Sequence, residues 1–337
     1  MSAKTLEKRD GEELPLPNKG AEHGNPSPYL QKAMGEGGDV VDRGGSDYES
    51  VTDAASEMGL FTIVGGYLDE EGVVHNEVQV KSMSGREEEL ISNSSINILD
   101  RLNGVMVNCT ERIGTITERG KIAQAINRLP MGSRRHLLIC LRRVTHWKRY
   151  KDLYEMDIRC PIDDCQQVGS YQVNLGELEM FEMEDPGKRE FAVKLLDSES
   201  EVIWRVASAP QEKISQSVRG SKTDDFRILT FAIMMRLISV DGDDVRLGVD
   251  DFTQGSIKKL RLSNRARKLY ETVVSWTSGD REQLRESFIL NEPDIETEVD
   301  IQCEFCKREF KGDLNLTQET FFFPSATSRR SKRKSFI

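Results

Sequence analysis

Residues 156–165 read MDIRCPIDDC, and residues 299–306 read VDIQCEFC. Both stretches carry an apolar residue, Asp, Ile, a polar residue and Cys, and each adds a second cysteine after a short gap. Four residues separate Cys160 from Cys165, and two separate Cys303 from Cys306. Both gaps fall within the spacing of thiolate pairs that wrap around a zinc ion.

Each cysteine pair lies between two alternating stretches, YEMDIR and GSYQVNL around the first pair and TEVDIQ and GDLNL around the second. The pattern predicts strand, knuckle and strand twice, and two such units facing each other form a zinc ribbon. Residues 166–302 must then form a compact excursion whose two ends return to the same place. Four protein thiolates leave no open coordination position, so one structural zinc per chain is expected. An iron centre, or unmetallated thiols that can form disulfides, are the alternatives.

Composition and charge describe a polar chain. It has 337 residues and a net charge of -10, with 31% charged and 37% hydrophobic residues. No stretch approaches the roughly 18 to 20 consecutive apolar residues of a membrane span, and the first residues lack the apolar run of a secretory signal. We therefore expect a cytoplasmic protein with no membrane contact. The remaining cysteines, Cys109 and Cys140, have no partner at ligand spacing and are expected to be small buried side chains.

The ends of the chain differ from its middle. Residues 1–57 contain no Phe, Trp, Ile or Cys but 8 of the 26 glycines and 4 of the 10 prolines, which predicts a disordered arm. The arm is either a passive solubilising tail or a docking peptide around LPLP or SPYLQKAM. One ordered domain is expected over 58–324, followed by a basic tail over 325–337.

Within that domain the pattern predicts an α+β fold with several local signals. A hairpin is expected around residues 69–72, a capping box at Ser84 and Glu87, and a second hairpin over 191–206. Residues 94–150 read as largely helical, with Ser133 as a cap. Further helices are predicted from Asp225 to residues 241–242 and, as a pair, over 256–289; the second of the pair stops before Pro293.

One helical stretch is strongly basic. Seven basic and no acidic residues lie between Arg134 and Lys151, with Trp147 and Tyr150 among them. Such a surface could bind a nucleic-acid backbone and stack bases. The commoner alternative is a helix whose apolar side packs inward while its arginines face solvent or an acidic partner. The residues assigned to the nucleic-acid hypothesis are Arg134, Arg135, Arg142, Arg143 and Lys148, together with the basic tail. That tail could instead dock on an acidic protein surface.

Catalytic motifs are missing from the sequence. It contains no H-E-x-x-H, no P-loop and no G-x-S-x-G, and its four histidines follow no recognisable spacing. No catalytic residue is assigned, and an enzyme is not expected.

The order of these features resembles the zinc-ribbon members of the tail-baseplate (hub) assembly protein family of T-even-like bacteriophages. The similarity covers 58–324 and is carried by GYLDEEGVVHNEVQVKSMSGREEELIS, LLICLRRVTHW, the two cysteine pairs, FAVKLLDSESEVIWRV and the closing FFFP. The terminal arm, the basic tail and the longer first gap depart from the family pattern. The resemblance implies a non-enzymatic assembly factor, chaperone or structural component in the host cytoplasm or the virion. Its implied partners are hub, wedge or tape-measure proteins, with nucleic acid not expected as a partner.

Overall fold

A computed structural model describes residues 57–219, 225–254 and 260–323. The described part contains both helices and antiparallel sheets, so the predicted α+β class is confirmed. The predicted disordered arm, apart from its last residue, and the basic tail lie outside the described residues. Among the helices that the structure describes, none has the length and apolar character needed to cross a membrane.

The first sheet is three-stranded, in the order β1 (Leu60–Leu68), β2 (Val74–Val80) and β3 (Thr110–Ile113). The predicted first hairpin is confirmed, because the Asp69 carboxylate accepts the amides of Glu71 and Val73 within the connecting turn. Gly72 has a φ of +82°, a conformation that favours glycine. The turn thus forms as the sequence predicted, because an acidic side chain binds the turn amides and a glycine adopts the positive φ.

Four helices accompany this sheet: α1 (Gly85–Ser92), α2 (Ile98–Cys109), α3 (Arg119–Arg128) and α4 (Met131–Tyr150). The capping box at the start of α1 is confirmed, with Ser84 accepting a backbone amide and Glu87 accepting the Ser84 amide. The prediction that residues 94–150 are largely helical missed β3, which lies between α2 and α3 and pairs with β2.

The assignment of Ser133 as a helix cap is wrong. Helix α4 begins two residues earlier, with Pro130 at the N-cap position. Ser133 is buried inside the helix, and its hydroxyl donates to the Val64 carbonyl at 2.5 Å. One helical turn further, the Nδ1 atom of His136 accepts the Val64 amide at 3.2 Å. These two side chains therefore satisfy the backbone of β1 where its pairing with β2 is interrupted between Thr62 and Tyr67.

Two hairpins form the predicted ribbon. Strand β4 (Leu153–Arg159) pairs with β5 (Val168–Asn174), and β14 (Glu298–Gln302) pairs with β15 (Glu309–Asp313). Their inner faces touch, since a Cβ placed on Gly312 of β15 would lie 2.5 Å from Ile301 and 2.6 Å from Ile158. Tyr171 and Phe310 add an edge-to-face contact across the same interface, with centroids 6.1 Å apart. Glycine at 312 thus allows the two hairpins to approach closely.

The described residues of the excursion between the ribbon halves form short strands and four α-helices. Strand β6 (Met180–Phe181) pairs with β13 (Asp294–Ile295). A four-stranded sheet has the order β10 (Asp243–Asp244), β9 (Leu237–Val240), β8 (Glu201–Arg205), β7 (Glu190–Lys194). The predicted hairpin is its β7–β8 pair, with Phe191 opposite Trp204 and Val193 opposite Val202.

The helices of the excursion are α5 (Ala209–Arg219), α6 (Asp225–Met234), α7 (Asn264–Ser275) and α8 (Ser278–Asn291). Helix α6 does not continue to residues 241–242 as predicted, because β9 begins at Leu237 and pairs with β8. The Asp225 side chain that was expected to cap it lies outside the described part. Helices α7 and α8 confirm the predicted pair, but its start was placed too early. Residues 260–262 instead form the strand β12 (Leu260–Leu262), which pairs with β11 (Phe252–Gln254). Helix α8 ends before Pro293, as expected.

The apolar side chains form two clusters. One contains the first sheet, α1 to α4, the inner faces of the ribbon, and Phe321 and Phe322 of the closing helix α9 (Glu319–Phe322). The other lies wholly between Met183 and Phe288 and is centred on Trp204, whose ring is 4.7 Å from that of Phe191 and 4.6 Å from that of Phe288. The excursion therefore has a hydrophobic core of its own, as the sequence required of a segment whose ends must return to one place.

Candidate metal centre

The turn between β4 and β5 holds the first cysteine pair. The Cys160 amide donates to the Gln167 carbonyl, and the Cys165 and Gln166 amides both donate to the Ile162 carbonyl. These bonds curl the chain so that both thiols point to the same side. Gln166 has a φ of +50°, which a residue with a side chain adopts at some cost in energy.

The turn between β14 and β15 repeats this geometry with two fewer residues. The Cys303 amide donates to the Arg308 carbonyl, and the Lys307 amide donates to the Cys303 carbonyl. Lys307 has a φ of +62° and, like Gln166, directly follows the second cysteine of its pair. The two sequence phrases therefore form two equivalent knuckles, and the positive φ after the second cysteine is a shared feature that the sequence did not reveal.

The four thiols meet in one cluster. The Sγ atoms of Cys160 and Cys306 are 3.8 Å apart, and those of Cys165 and Cys303 are 3.7 Å apart. All four Sγ atoms lie within 4.8 Å of one another. Each short separation joins one cysteine of the first knuckle to one of the second, so the two halves share a single site. The separations exceed the roughly 2.05 Å of a disulfide bond, and all four residues are free cysteines.

The donor set fits a metal ion. Four sulfur ligands at about 2.3 Å from a central ion, arranged as a tetrahedron, would lie about 3.8 Å from one another. The separations of 3.8 and 3.7 Å match that value, and no two of the four Sγ atoms are more than 4.8 Å apart. Cys160 and Cys303 are fully buried, and Cys165 and Cys306 are half-buried. The arrangement is compatible with a closed structural metal site.

The surroundings favour a thiolate at Cys303. The backbone amide of Cys306, assisted by that of Phe305, is directed at its sulfur and lowers the pKa of the Cys303 thiol to about 6. Burial raises the pKa of the Cys160 thiol to about 12. A metal ion binds thiolates, and burial disfavours the thiolate form of Cys160. The positive charge of a bound cation would stabilise that thiolate.

Tyr171 of β5 lies beside the cluster, next to Cys303, and burial raises its pKa. Among the described residues its buried hydroxyl makes no hydrogen bond of good geometry, and the Cys303 thiol and the Glu304 amide are the polar groups that interact with it. A thiolate at Cys303 is an acceptor for this hydroxyl, and hydrogen bonds of this kind orient metal ligands. The sequence analysis missed this residue, although its place in the stretch GSYQVNL after the first knuckle was a usable signal.

The other two cysteines are buried, as predicted. Cys109 ends α2 and Cys140 lies in the middle of α4, both fully buried. Burial raises the pKa of each thiol to about 12. They therefore have the character of small apolar side chains.

The residues of the nucleic-acid hypothesis do not form one exposed surface. Arg134 is buried and donates to Glu212, Asn103 and the Ile126 carbonyl. Arg142 is buried too, with its guanidinium 5.7 Å from the centroid of the Tyr154 ring, and burial lowers its pKa to about 10.

The remaining three residues of this set lie nearer the surface. Arg135 pairs with Asp294 at 2.9 Å, and Arg143 pairs with Asp152 at 2.6 Å. Lys148 is exposed. Four of the five basic residues thus take part in internal contacts of the fold, which weighs against a phosphate-binding role for α4.

Comparison of the chain with protein-family models, with curated proteins and with solved structures gave no match.

Proposed function

We propose that this protein is a non-enzymatic assembly factor or structural component of a bacteriophage tail baseplate, with a fold stapled by one structural zinc ion. It acts by binding other tail proteins of the hub, wedge or tape-measure type, in the host cytoplasm or in the assembled particle. The phage assignment comes from the sequence resemblance over 58–324.

The main support for a metal staple is the distance between four sulfur atoms. The Sγ atoms of Cys160, Cys165, Cys303 and Cys306 all lie within 4.8 Å of one another. Zinc is the best fit for such a set, because it accepts four thiolates in a tetrahedron and has no redox chemistry of its own. A closed site of this kind supplies folding energy and offers no coordination position to a substrate. This donor set favours a structural role over catalysis.

The mechanism we infer is rigid presentation. The metal ties two hairpins whose first cysteines are 143 residues apart in the sequence, and so fixes both ends of the excursion. The excursion exposes large apolar side chains, with Leu196 80%, Ile289 76% and Leu290 75% exposed. Apolar side chains exposed to this degree on a folded surface are suited to contact with another protein.

The first test is elemental analysis combined with a thiol count on the native protein. We expect about one zinc per chain, with four thiols protected until a chelator is added. Cys303→Ser should lose the metal, whereas Cys109→Ala, which removes a buried thiol outside the cluster, should keep it. No metal and six reactive thiols would contradict the staple.

The second test addresses the partners. The tagged protein is expressed together with each hub, wedge and tape-measure protein of one phage tail, and complexes are measured by size-exclusion chromatography. We expect at least one of these proteins to co-elute with the native chain and not with Cys303→Ser. A metal-loaded chain that binds none of them would contradict the baseplate assignment and leave the staple standing.

A further inference from the structure

Strand β14 has one edge with no strand beside it in the described structure. The Cys303 amide donates to the Arg308 carbonyl and the Leu314 amide to the Thr297 carbonyl, which fixes the phase of the β14–β15 ladder. Hydrogen-bonded and non-hydrogen-bonded pairs alternate in an antiparallel ladder. The peptide groups of Asp300 and Gln302 therefore point away from β15, toward the other edge of β14.

Strand β5 presents a similar edge. The Cys160 amide donates to the Gln167 carbonyl and the Leu175 amide to the Asp152 carbonyl, so the odd-numbered residues of β5 bond to β4. The peptide group of Gln172 consequently points away from β4. In the described part of the chain β5 and β14 belong to separate two-stranded sheets, and no ladder joins them.

The edges of β5 and β14 line one cleft of about 380 Å³. Its walls include residues 171–174 of β5 and 299–302 of β14, and Leu178 lies between them. Val173 and Ile301 are buried apolar residues, while Gln172, Asp300 and Gln302 are exposed. The cleft thus combines unpaired backbone groups with side chains that alternate between apolar and polar, which is the surface that an added β-strand requires.

The rim of the cleft is acidic. Residues 177–185 and 292–300 each contain five acidic and no basic residues, and the two segments pair through β6 and β13. Three of these ten carboxylates have ion-pair partners, namely Glu292 with Arg236, Asp294 with Arg135 and Glu298 with Lys311. The other seven make no ion pair among the described residues, although Lys311 also attracts Asp300 and Glu296, and Arg189 attracts Asp185. Glu177 and Asp300, which line the cleft itself, are among these seven.

We propose that this cleft is a docking site for an extended segment of a partner protein in which Lys or Arg alternates with apolar residues. The segment adds as a strand to the free edge of β14, with its apolar side chains over Val299 and Ile301. Its cationic side chains face Asp300 and Glu177. The inference deepens the proposed function, on which it rests for the statement that the partner is a protein.

Charge decides which strand is accepted. Native proteins protect free edges with charge, and an acidic rim repels other acidic strands while it attracts basic ones. The peptide groups that face the cleft belong to Asp300 and Gln302, and neither residue is a Lys or a Pro. The β14–β15 register has no bulge, so neither proline nor a bulge prevents a further strand from pairing with β14. The edge is thus open to a strand of positive charge.

The metal centre positions this site. Cys303 directly follows the last residue of β14, and Cys165 precedes the first residue of β5 by three positions. A metal that joins these two cysteines fixes the separation of the two edges. Binding of a strand in the cleft should therefore depend on the metal.

The test uses short fluorescein-labelled peptides and the metal-loaded full chain, with binding measured by fluorescence polarisation. The probe alternates Lys with Val. One control alternates Glu with Val. A second has the Lys-Val sequence with N-methylated backbone amides on its lysines, which keeps the charge and the side chains but removes the donors that would face β14. We expect the Lys-Val peptide to bind at least ~10-fold more tightly than either control, since both charge and backbone pairing contribute. Equal binding of the N-methylated peptide would overturn strand addition.

Two chain variants locate the site. Asp300→Pro removes one amide and one carboxylate from the cleft edge of β14. Asp313→Pro removes the same groups from β15, where residue 313 points to the opposite edge of the hairpin. We expect Asp300→Pro to weaken the Lys-Val peptide by ~10-fold and Asp313→Pro by less than ~2-fold, on the scale of one lost hydrogen bond and one lost charge pair. Equal effects of the two variants would overturn the placement.

Metal content is measured on every sample, which separates this inference from the proposed function. Metal-loaded protein that does not distinguish the peptides overturns the docking site and leaves the zinc staple intact. Peptide binding that survives complete metal removal overturns the coupling between the staple and the cleft.

Discussion

Removal of the metal should open the ribbon while the excursion stays folded. The knuckles hold together the distal ends of β4, β5, β14 and β15, which contain seven, seven, five and five residues, 24 in all. The excursion core between Met183 and Phe288 contains no residue of these strands. We therefore expect a chelator to produce a partly unfolded protein in place of a fully unfolded one.

The magnitude follows from what the ribbon buries. Met156 and Ile301 are its buried side chains nearest the knuckles, each worth about 1.5 to 3 kcal/mol. Ordering the backbone costs about 1 to 2 kcal/mol per residue before hydrogen bonds are counted. A structural zinc site contributes ~10 kcal/mol or more of apparent binding energy. The apolar contacts alone are thus too few to order the distal strands, and the metal supplies the difference.

Hydrogen–deuterium exchange with and without a chelator measures this directly. We expect the amides of residues 156–171 and 299–310 to lose protection by several orders of magnitude, and those of β7, β8 and α8 to keep theirs. Cys303→Ser should reproduce the chelated pattern, and Cys109→Ala should resemble the native protein. Unchanged protection of the ribbon after complete metal removal would refute the reasoning.

Three further predictions concern the rest of the fold. Gly132→Ala should lower the free energy of unfolding in urea by about 2 to 3 kcal/mol, because its Cβ would lie 1.9 Å from the Pro293 carbonyl. Burial lowers the pKa of both His136 and His146 to about 4, below the roughly 6.5 of an unfolded chain, so each should remove up to about 3 kcal/mol of stability between pH 6.5 and 4. In urea titrations at each pH, His136→Gln should abolish its own share of this loss and leave the share of His146. Ser84→Ala should cost about 1 kcal/mol in thermal unfolding by removing the capping box with Glu87, whereas Ser94→Ala at a loop position should cost little.

The features predicted correctly from the sequence are local. Turn residues 69–72, the Ser84 capping box and the β7–β8 alternation each specify a structure within a few residues, so no distant contact is needed to read them. The ribbon was the long-range exception. It could be predicted because a metal restricts ligand identity and spacing so strongly that two matching phrases indicate one site.

The errors arose where tertiary contacts determine local structure. The four residues TERI of β3 were predicted as part of a helix. Their strand conformation depends on pairing with β2, which the local sequence does not reveal. Ser133 had the chemistry of a cap, but its hydroxyl serves the irregular backbone of β1. The LISV stretch of β9 continues the apolar pattern of the preceding helix and was predicted as helix. It forms a strand because it pairs with β8. A single sequence does not contain the identity of these distant partners.

The basic stretch of α4 shows the same limit for function. Its charge density was visible in the sequence, yet the direction of each side chain depends on which helix face is buried. Arg134 and Arg142 lie on the buried side, where Glu212 and the ring of Tyr154 stabilise them. The number of basic residues therefore overstated the cationic surface of α4. The acidic segments 177–185 and 292–300 show the reverse case, because they form one rim only through the pairing of β6 with β13.

A metal held by the four cysteines would also have to close a long loop of chain. Closing a loop of 143 residues between Cys160 and Cys303 costs about 4 kcal/mol of chain entropy, before any residue in the loop is ordered. The excursion reduces this cost by folding around its own core, because a folded segment between Met183 and Phe288 shortens the flexible chain that must be closed. The two knuckles then need only the remaining linkers to bring four thiols together. A metal that bound after the excursion had folded would therefore close a much shorter flexible chain, and it would still fix both halves of the ribbon.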